Sequence, residues 1–153
     1  MTSVTPFIWF DDDAEQAIQL YLGLFPDASV IEENRTPDGA LFYASFRIAG
    51  QTVMALNGGP HFTKNESFSF FVSVETQQEV DYYWDALTAD GGQESQCGWL
   101  KDRFGLSWQI IPEALMRYQA DSDRALAGRV QAAMFKMQKI IVADLDAAAA
   151  ASN

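Results

Sequence analysis

The stretch Gln96–Pro112, QCGWLKDRFGLSWQIIP, carries a D-x-x-G turn (Asp102–Gly105) that runs directly into a short apolar segment, Leu106–Ile111. Turn chemistry followed by an apolar run of this length reads as a strand entered from a tight reversal. Gly98–Lys101 reads as a strand on the other side of that turn, and Glu94–Gln96 as one more before it. Working back, Gly91-Gly92 ends a helix whose start is Thr76-Gln77-Gln78-Glu79, the spacing of a capping box. Val80, Tyr83, Trp84 and Leu87 give that helix its apolar face. Before it, Phe68–Val74 alternates: Phe68, Phe70, Val72 and Val74 on one face, Ser69, Phe71 and Ser73 on the other. The order is β-α-β-β-β.

The first part of the chain is written the same way. Thr5–Phe10 (TPFIWF) is a short apolar run, and Asp12 with Glu15 has the D-x-x-E spacing of a helix start. Ala14, Ala17, Ile18, Tyr21, Leu24 and Phe25 recur at helical spacing until Pro26 stops the helix. Strands are expected at Ser29–Asn34, at Leu41–Ala49 with Phe42, Ala44, Phe46 and Ile48 sharing a face, and at Thr52–Asn57. The tail departs from this pattern. It predicts a helix over Pro112–Ala120, a longer one capped by Asp121 or Ser122 and running to Gln138, and an alanine-rich helix over Asp144–Ala151. The expected organisation is a single domain over 1–153: a first module at 1–60, a second at 61–112, and a helical tail at 113–153.

The chain has 153 residues, 48% of them apolar, with eleven Phe, five Tyr and four Trp, so a packed interior is within its means. Ten basic against twenty-one acidic residues give a formal charge of −11. Such a surface repels phosphate backbones, and no basic stripe offsets it, so a nucleic-acid partner is not expected. No apolar run reaches the length of a membrane span, and the N-terminus lacks the layout of a signal peptide. With one cysteine, Cys97, and no possible internal disulfide, a cytoplasmic location is expected.

Four stretches carry a family resemblance: TPFIWFDDDAEQAIQLYLGLFPDA, VMALNGGPHF, ETQQEVDYYWDALTADGG and SQCGWLKDRFGLSWQIIP. In this order they resemble the PhnB-like subgroup of the glyoxalase/bleomycin resistance/dioxygenase (vicinal oxygen chelate) superfamily, a subgroup often labelled 3-demethylubiquinone-9 3-methyltransferase. The resemblance implies an α+β fold in which two βαβββ modules form a curled mixed-sheet cup. In metal-using members, inward His or Glu side chains on four strands chelate a divalent ion. The corresponding positions here are Pro6, Ile8 or Phe10 (Phe7 or Trp9 on the other face), then Met54, Ala55 or Asn57, then Ser69, and finally Gln109. Ser and Gln supply only weak neutral oxygens, so no metal and no other cofactor is expected. The methyltransferase label finds no glycine-rich turn after the first strand to support it.

Two functions of different class fit these residues. One is a small-molecule-binding protein whose cup is edged by Asn57, His61, Ser69, Trp99 and Gln109, with Trp9, Tyr43, Phe71 and Trp108 as further aromatic surface. The other is an enzyme using His61, the only histidine, as a proton shuttle, with Cys97 as a possible thiolate partner. A homodimer is expected, because a sheet face bearing Ile8, Phe71 and Ile111, and a tail stripe of Leu126, Val130, Met134 and Met137, all need cover.

Overall fold

Two short helices with apolar stripes and eight short strands sort into two compact units, Met1–Lys64 and Asn65–Asn153. The structure is a computed structural model that describes residues 1–152.

In the first unit the order is β1 (Phe7–Phe10), α1 (Ala14–Leu24), β2 (Ser29–Arg35), β3 (Leu41–Ile48) and β4 (Gln51–Asn57). The sheet order is β1-β4-β3-β2, with β1 parallel to β4 and the other pairs antiparallel. Ile8, Phe10, Ala44, Phe46, Val53 and Ala55 are buried, as are Ala14, Ala17, Ile18 and Tyr21 of α1. These make one core between sheet and helix, as period-2 and period-3.6 patterns require when they meet. Two expectations need correcting. Ile8 belongs to this core, and Phe7 is the exposed neighbour. Phe42 does not share the buried face of Ala44 and Phe46: Arg35 pairs with Leu41 and Asn34 with Tyr43, which leaves Phe42 as the extra residue of a bulge, 46% exposed.

The second unit repeats the order: β5 (Phe70–Val74), α2 (Gln77–Thr88), β6 (Gln93–Glu94), β7 (Trp99–Lys101) and β8 (Ser107–Pro112), in the sheet order β5-β8-β7-β6. Again the first and last strands run parallel. The capping box forms as expected: Glu79 N–H donates to Thr76 Oγ1 and Glu79 Oε2 accepts from Thr76 N–H. Val80, Trp84 and Leu87 of α2 are buried, as are Leu100, Trp108 and Ile110 of the sheet. Trp108, expected as ligand-facing aromatic surface, is therefore a core residue, and its indole N–H donates to Asp102 Oδ2 at 2.9 Å. Asp102 Oδ1 accepts from the amides of Phe104 and Leu106, which ties the D-x-x-G reversal shut.

The tail forms α3 (Glu113–Gln119), α4 (Arg124–Met134) and α5 (Val142–Ala150). Asp123, rather than Asp121 or Ser122, caps α4, accepting from Ala125 and Leu126 amides, and the helix stops at Met134 instead of Gln138. Leu115, Val130, Met134, Ile140 and Leu145 cluster on Ile111, so the tail covers one end of the second sheet. It is held there by backbone as well. Cys97 and Gly98 both adopt left-handed conformations (φ 59° and 84°), and their amides donate to Met137 O and Gln138 O at 2.9 and 2.8 Å. Gly98 is required: a Cβ there would stand 2.7 Å from Ile111 Cδ1. From α2, Gln77 Nε2 donates to Ile140 O at 3.0 Å and its Oε1 accepts from Val142 N–H at 2.7 Å.

Candidate functional site

The side of the second sheet that faces away from α2 can be read row by row, because residues directly opposed across strands point to the same face. One row is Gln93, Lys101 and Ser107; the next is Trp99, Gln109 and Phe71. Beyond these lies Ile111, already under the tail. The face thus grades from polar, through amide and aromatic, to apolar. Phe71 is 50% exposed and Trp99 is half-buried. Gln109 Nε2 donates to Ser69 Oγ at 2.9 Å. Three of the expected site residues, Ser69, Trp99 and Gln109, are therefore together on one face.

A cleft of about 100 Å³ opens beside Trp99, lined also by Gln93, Ser95, Lys101, Ser107 and Glu66. Lys101 Nζ pairs with Glu66 at 2.5 Å. The ammonium hydrogen bond holds the Glu66 carboxyl below its ordinary value. Ser107 is 1% exposed and its hydroxyl has no hydrogen-bond partner among the described residues. Lys101, Ser107 and Gln93 were not picked out from the sequence. Alternation along Leu106–Ile111 puts Ser107 on the face of Gln109, but Lys101 and Gln93 join it only through the register of the neighbouring strands.

The remaining expected residues have other surroundings. Asn57 stands in register with Phe10 on the α1 side of the first sheet. Its Oδ1 accepts from Ala14 N–H at 2.9 Å, capping a helix whose own Asp13 makes no side-chain cap, and its Nδ2 donates to Leu41 O at 3.1 Å. His61 is exposed in the loop after β4, edge-on to Trp9 with ring centroids 6.3 Å apart. Trp9 also folds over Gly58, where any Cβ would fall inside the indole, and donates its N–H to Gly59 O at 2.9 Å. The ring therefore requires glycine at 58, and a left-handed backbone (φ 87°) favours it at 59. Tyr43 OH donates to Glu32 Oε1 at 3.4 Å, at the exposed edge. Cys97 packs against the apolar cluster of the tail, the setting of a small hydrophobe.

A family model described as 3-demethylubiquinone-9 3-methyltransferase matches residues 2–111. The chain belongs to that family. Among solved structures, a putative 3-demethylubiquinone-9 3-methyltransferase, PhnB protein, from Bacillus cereus is 27% identical, with a TM-score of 0.68 over 72% of this chain and 99% of its own. A protein from Pseudomonas aeruginosa is 17% identical, with a TM-score of 0.58 over 72% of this chain and 96% of its own. The fosfomycin resistance protein FosX from Listeria monocytogenes, solved with Mn(II) and sulfate, is 16% identical, with a TM-score of 0.55 over 71% of this chain and 89% of its own. The last two show the fold alone. No curated protein matches. Together these place the chain among the PhnB-like proteins that carry this family description, with the fold that FosX shares and with α3–α5 beyond the residues that the family model matches.

The fold family implies a divalent ion in some members, and the donor set here does not fit one. Ser69 and Gln109 offer only neutral oxygens, and the Ser69 hydroxyl already accepts from Gln109 Nε2. Among the described residues no three His, Cys, Asp or Glu side chains gather in one place. A methyl-donor nucleotide has no cradle of the usual kind either: β1 passes into α1 through Asp11–Asp13, without glycine. Among the described residues no helix is long and apolar enough to cross a membrane.

Proposed function

We propose that this protein binds a small molecule with a flat apolar body on the Trp99–Gln109–Phe71 row of its second sheet, without help from a divalent metal. The observation that carries this reading is the Ser69–Gln109 hydrogen bond. It turns two positions that would serve a metal into one neutral polar anchor, flanked by exposed aromatic surface. Gln109 still presents its carbonyl oxygen, and a ligand N–H or O–H facing the sheet finds an acceptor there. The methyltransferase description is a family name in this reading, and methyl transfer forms no part of it.

The proposal includes a cytoplasmic homodimer. Phe7, Phe42, Phe62, Phe71 and Phe135 are all exposed, and rings of this kind are what a second copy would cover. A self-complementary contact is the commonest way to cover such surface.

The test is a thermal-shift screen of aromatic small molecules on metal-stripped protein, repeated with added Mn(II) or Zn(II). Hits that stabilise equally with and without metal, and that lose their effect in Trp99→Ala, support the reading. A stoichiometric divalent ion retained through purification, or hits that bind only with metal, overturns it. Sedimentation showing only a 17.0 kDa species at micromolar concentration overturns the dimer.

A further inference from the structure

We infer that the cleft beside Trp99 is an oxyanion seat, in which Lys101, Ser107 and Gln93 receive the carboxylate of a small aromatic acid whose ring lies on Trp99, and that Glu66 occupies the seat in its absence. The inference rests on the reading of this face as the ligand face and names the ligand's class.

Three observations converge. The row Gln93–Lys101–Ser107 aligns three side chains that can all donate hydrogen bonds, on neighbouring strands and one face. Ser107 is almost completely buried at the cleft, and its hydroxyl lacks a protein partner among the described residues. A buried hydroxyl in that state carries a desolvation cost that an accepting ligand atom removes. Third, the cation of the row is already matched by a carboxylate of the chain itself, at 2.5 Å.

The two members of that ion pair are held very differently. Lys101 projects from β7, and its side chain is 31% exposed; Glu66 sits in a turn before β5, and its side chain is 63% exposed. Exposed pairs of this kind hold weakly, so Glu66 can leave while Lys101 stays. A ligand carboxylate entering from the Trp99 side meets the ammonium, the Ser107 hydroxyl and the Gln93 amide together. Charge-assisted bonds of this type are the strong ones. Glu94 also borders the cleft, but its Oε1 is held by Trp84 Nε1 at 2.7 Å. The net charge of −11 opposes an anion at long range, yet salt screens that field within about 8–10 Å. The nearby donors therefore decide.

Chemistry separates headgroup from body. The donors that line the cleft of about 100 Å³ suit a carboxylate. The ring belongs on the adjoining row, across Trp99 and Phe71.

The experiment titrates the isotope-labelled full chain with 2-naphthoate and with neutral 2-naphthamide, reading backbone amides and tryptophan indoles by NMR. We expect 2-naphthoate to shift the Lys101 and Ser107 amides and the Trp99 indole, and to bind at least about fivefold more tightly than the amide (~1 kcal/mol). Glu66→Gln should tighten 2-naphthoate severalfold, by vacating the seat. Lys101→Met and Ser107→Ala should erase the preference for the acid, while both probes still shift the Trp99 indole. Equal binding of the two probes at that indole overturns the oxyanion seat and leaves the ligand face standing. If neither probe reaches the Trp99 indole at millimolar concentration, both fall.

Discussion

Asp102 and Trp108 are joined by a 2.9 Å hydrogen bond from indole Nε1 to carboxylate Oδ2, with 2% and 1% of their surfaces exposed. The same carboxylate closes the D-x-x-G reversal through two backbone amides. Asp102→Ala takes the acceptor from three donors, two of them buried. Each such donor costs about 1–3 kcal/mol, and the sum is expected to reach ~3 kcal/mol or more. Asp102→Asn keeps one acceptor oxygen and should cost less. Urea unfolding measures both. A midpoint for Asp102→Ala matching that of the parent would show that the turn does not depend on this carboxylate.

Gln77 clamps the tail from α2 by bonds to Ile140 O and Val142 N–H. Gln77→Ala removes both at about 1 kcal/mol each. Hydrogen exchange over 142–150 should accelerate roughly 10- to 30-fold, with β8 unchanged. Equal acceleration in β8 would mean that tail and sheet open as one.

Acid should loosen the same clamp. Lys139 Nζ lies 2.9 Å from Asp81 Oδ1. Hydrogen bonds from Lys139 and then Gln77 hold the Asp81 carboxyl below its ordinary value of 3.8. Its contribution is full above that value and is lost as pH falls through the depressed one. The Lys139 ammonium is raised above 10.5, chiefly by the hydrogen bond to Asp81, so its share is full below 10.5 and is lost only above its raised value. Tail exchange should therefore be flat from roughly pH 5 to 9, after correction for intrinsic rates, and faster towards pH 3. Asp81→Asn should flatten the acid limb; an unchanged limb would assign it elsewhere.

Gly58→Ala places a methyl group within the Trp9 ring. The indole must swing out and give up its bond to Gly59 O, at an overpacking cost of about 1–3 kcal/mol. The Trp9 indole proton resonance should move sharply, and thermal melting should fall. An unmoved resonance would mean that the loop, rather than the ring, yields.

How much of this could be read beforehand divides by range. The capping box at Thr76–Glu79 and the apolar faces of α1 and α2 are local patterns, and they form as their spacing dictates. The bulge at Phe42 was not legible, since alternation counts residues on one strand while a bulge is a property of two. The cap of α1 was not legible either: it comes from Asn57, forty-three residues later. Gln109 and Ser69 could be placed on one face by alternation, but the bond that joins them spans two strands and forty residues. The row of Gln93, Lys101 and Ser107 needed the register of three strands at once.

The amides of Cys97 and Gly98 that bond to Met137 O and Gln138 O impose an order of events on the growing chain. The first unit contains its own sheet, helix and core by Lys64, so it can fold as soon as that residue clears the ribosome. The second unit cannot finish when β8 emerges. Ile111 and the Cys97–Gly98 corner wait for Met137, Gln138, Ile140 and Leu145, all of which are made well after Pro112. During that interval the nascent sheet offers apolar surface and two unsatisfied amides, the features that attract chaperones and wrong partners. Stalling synthesis just after α3 should leave a second unit sensitive to protease beside a resistant first one.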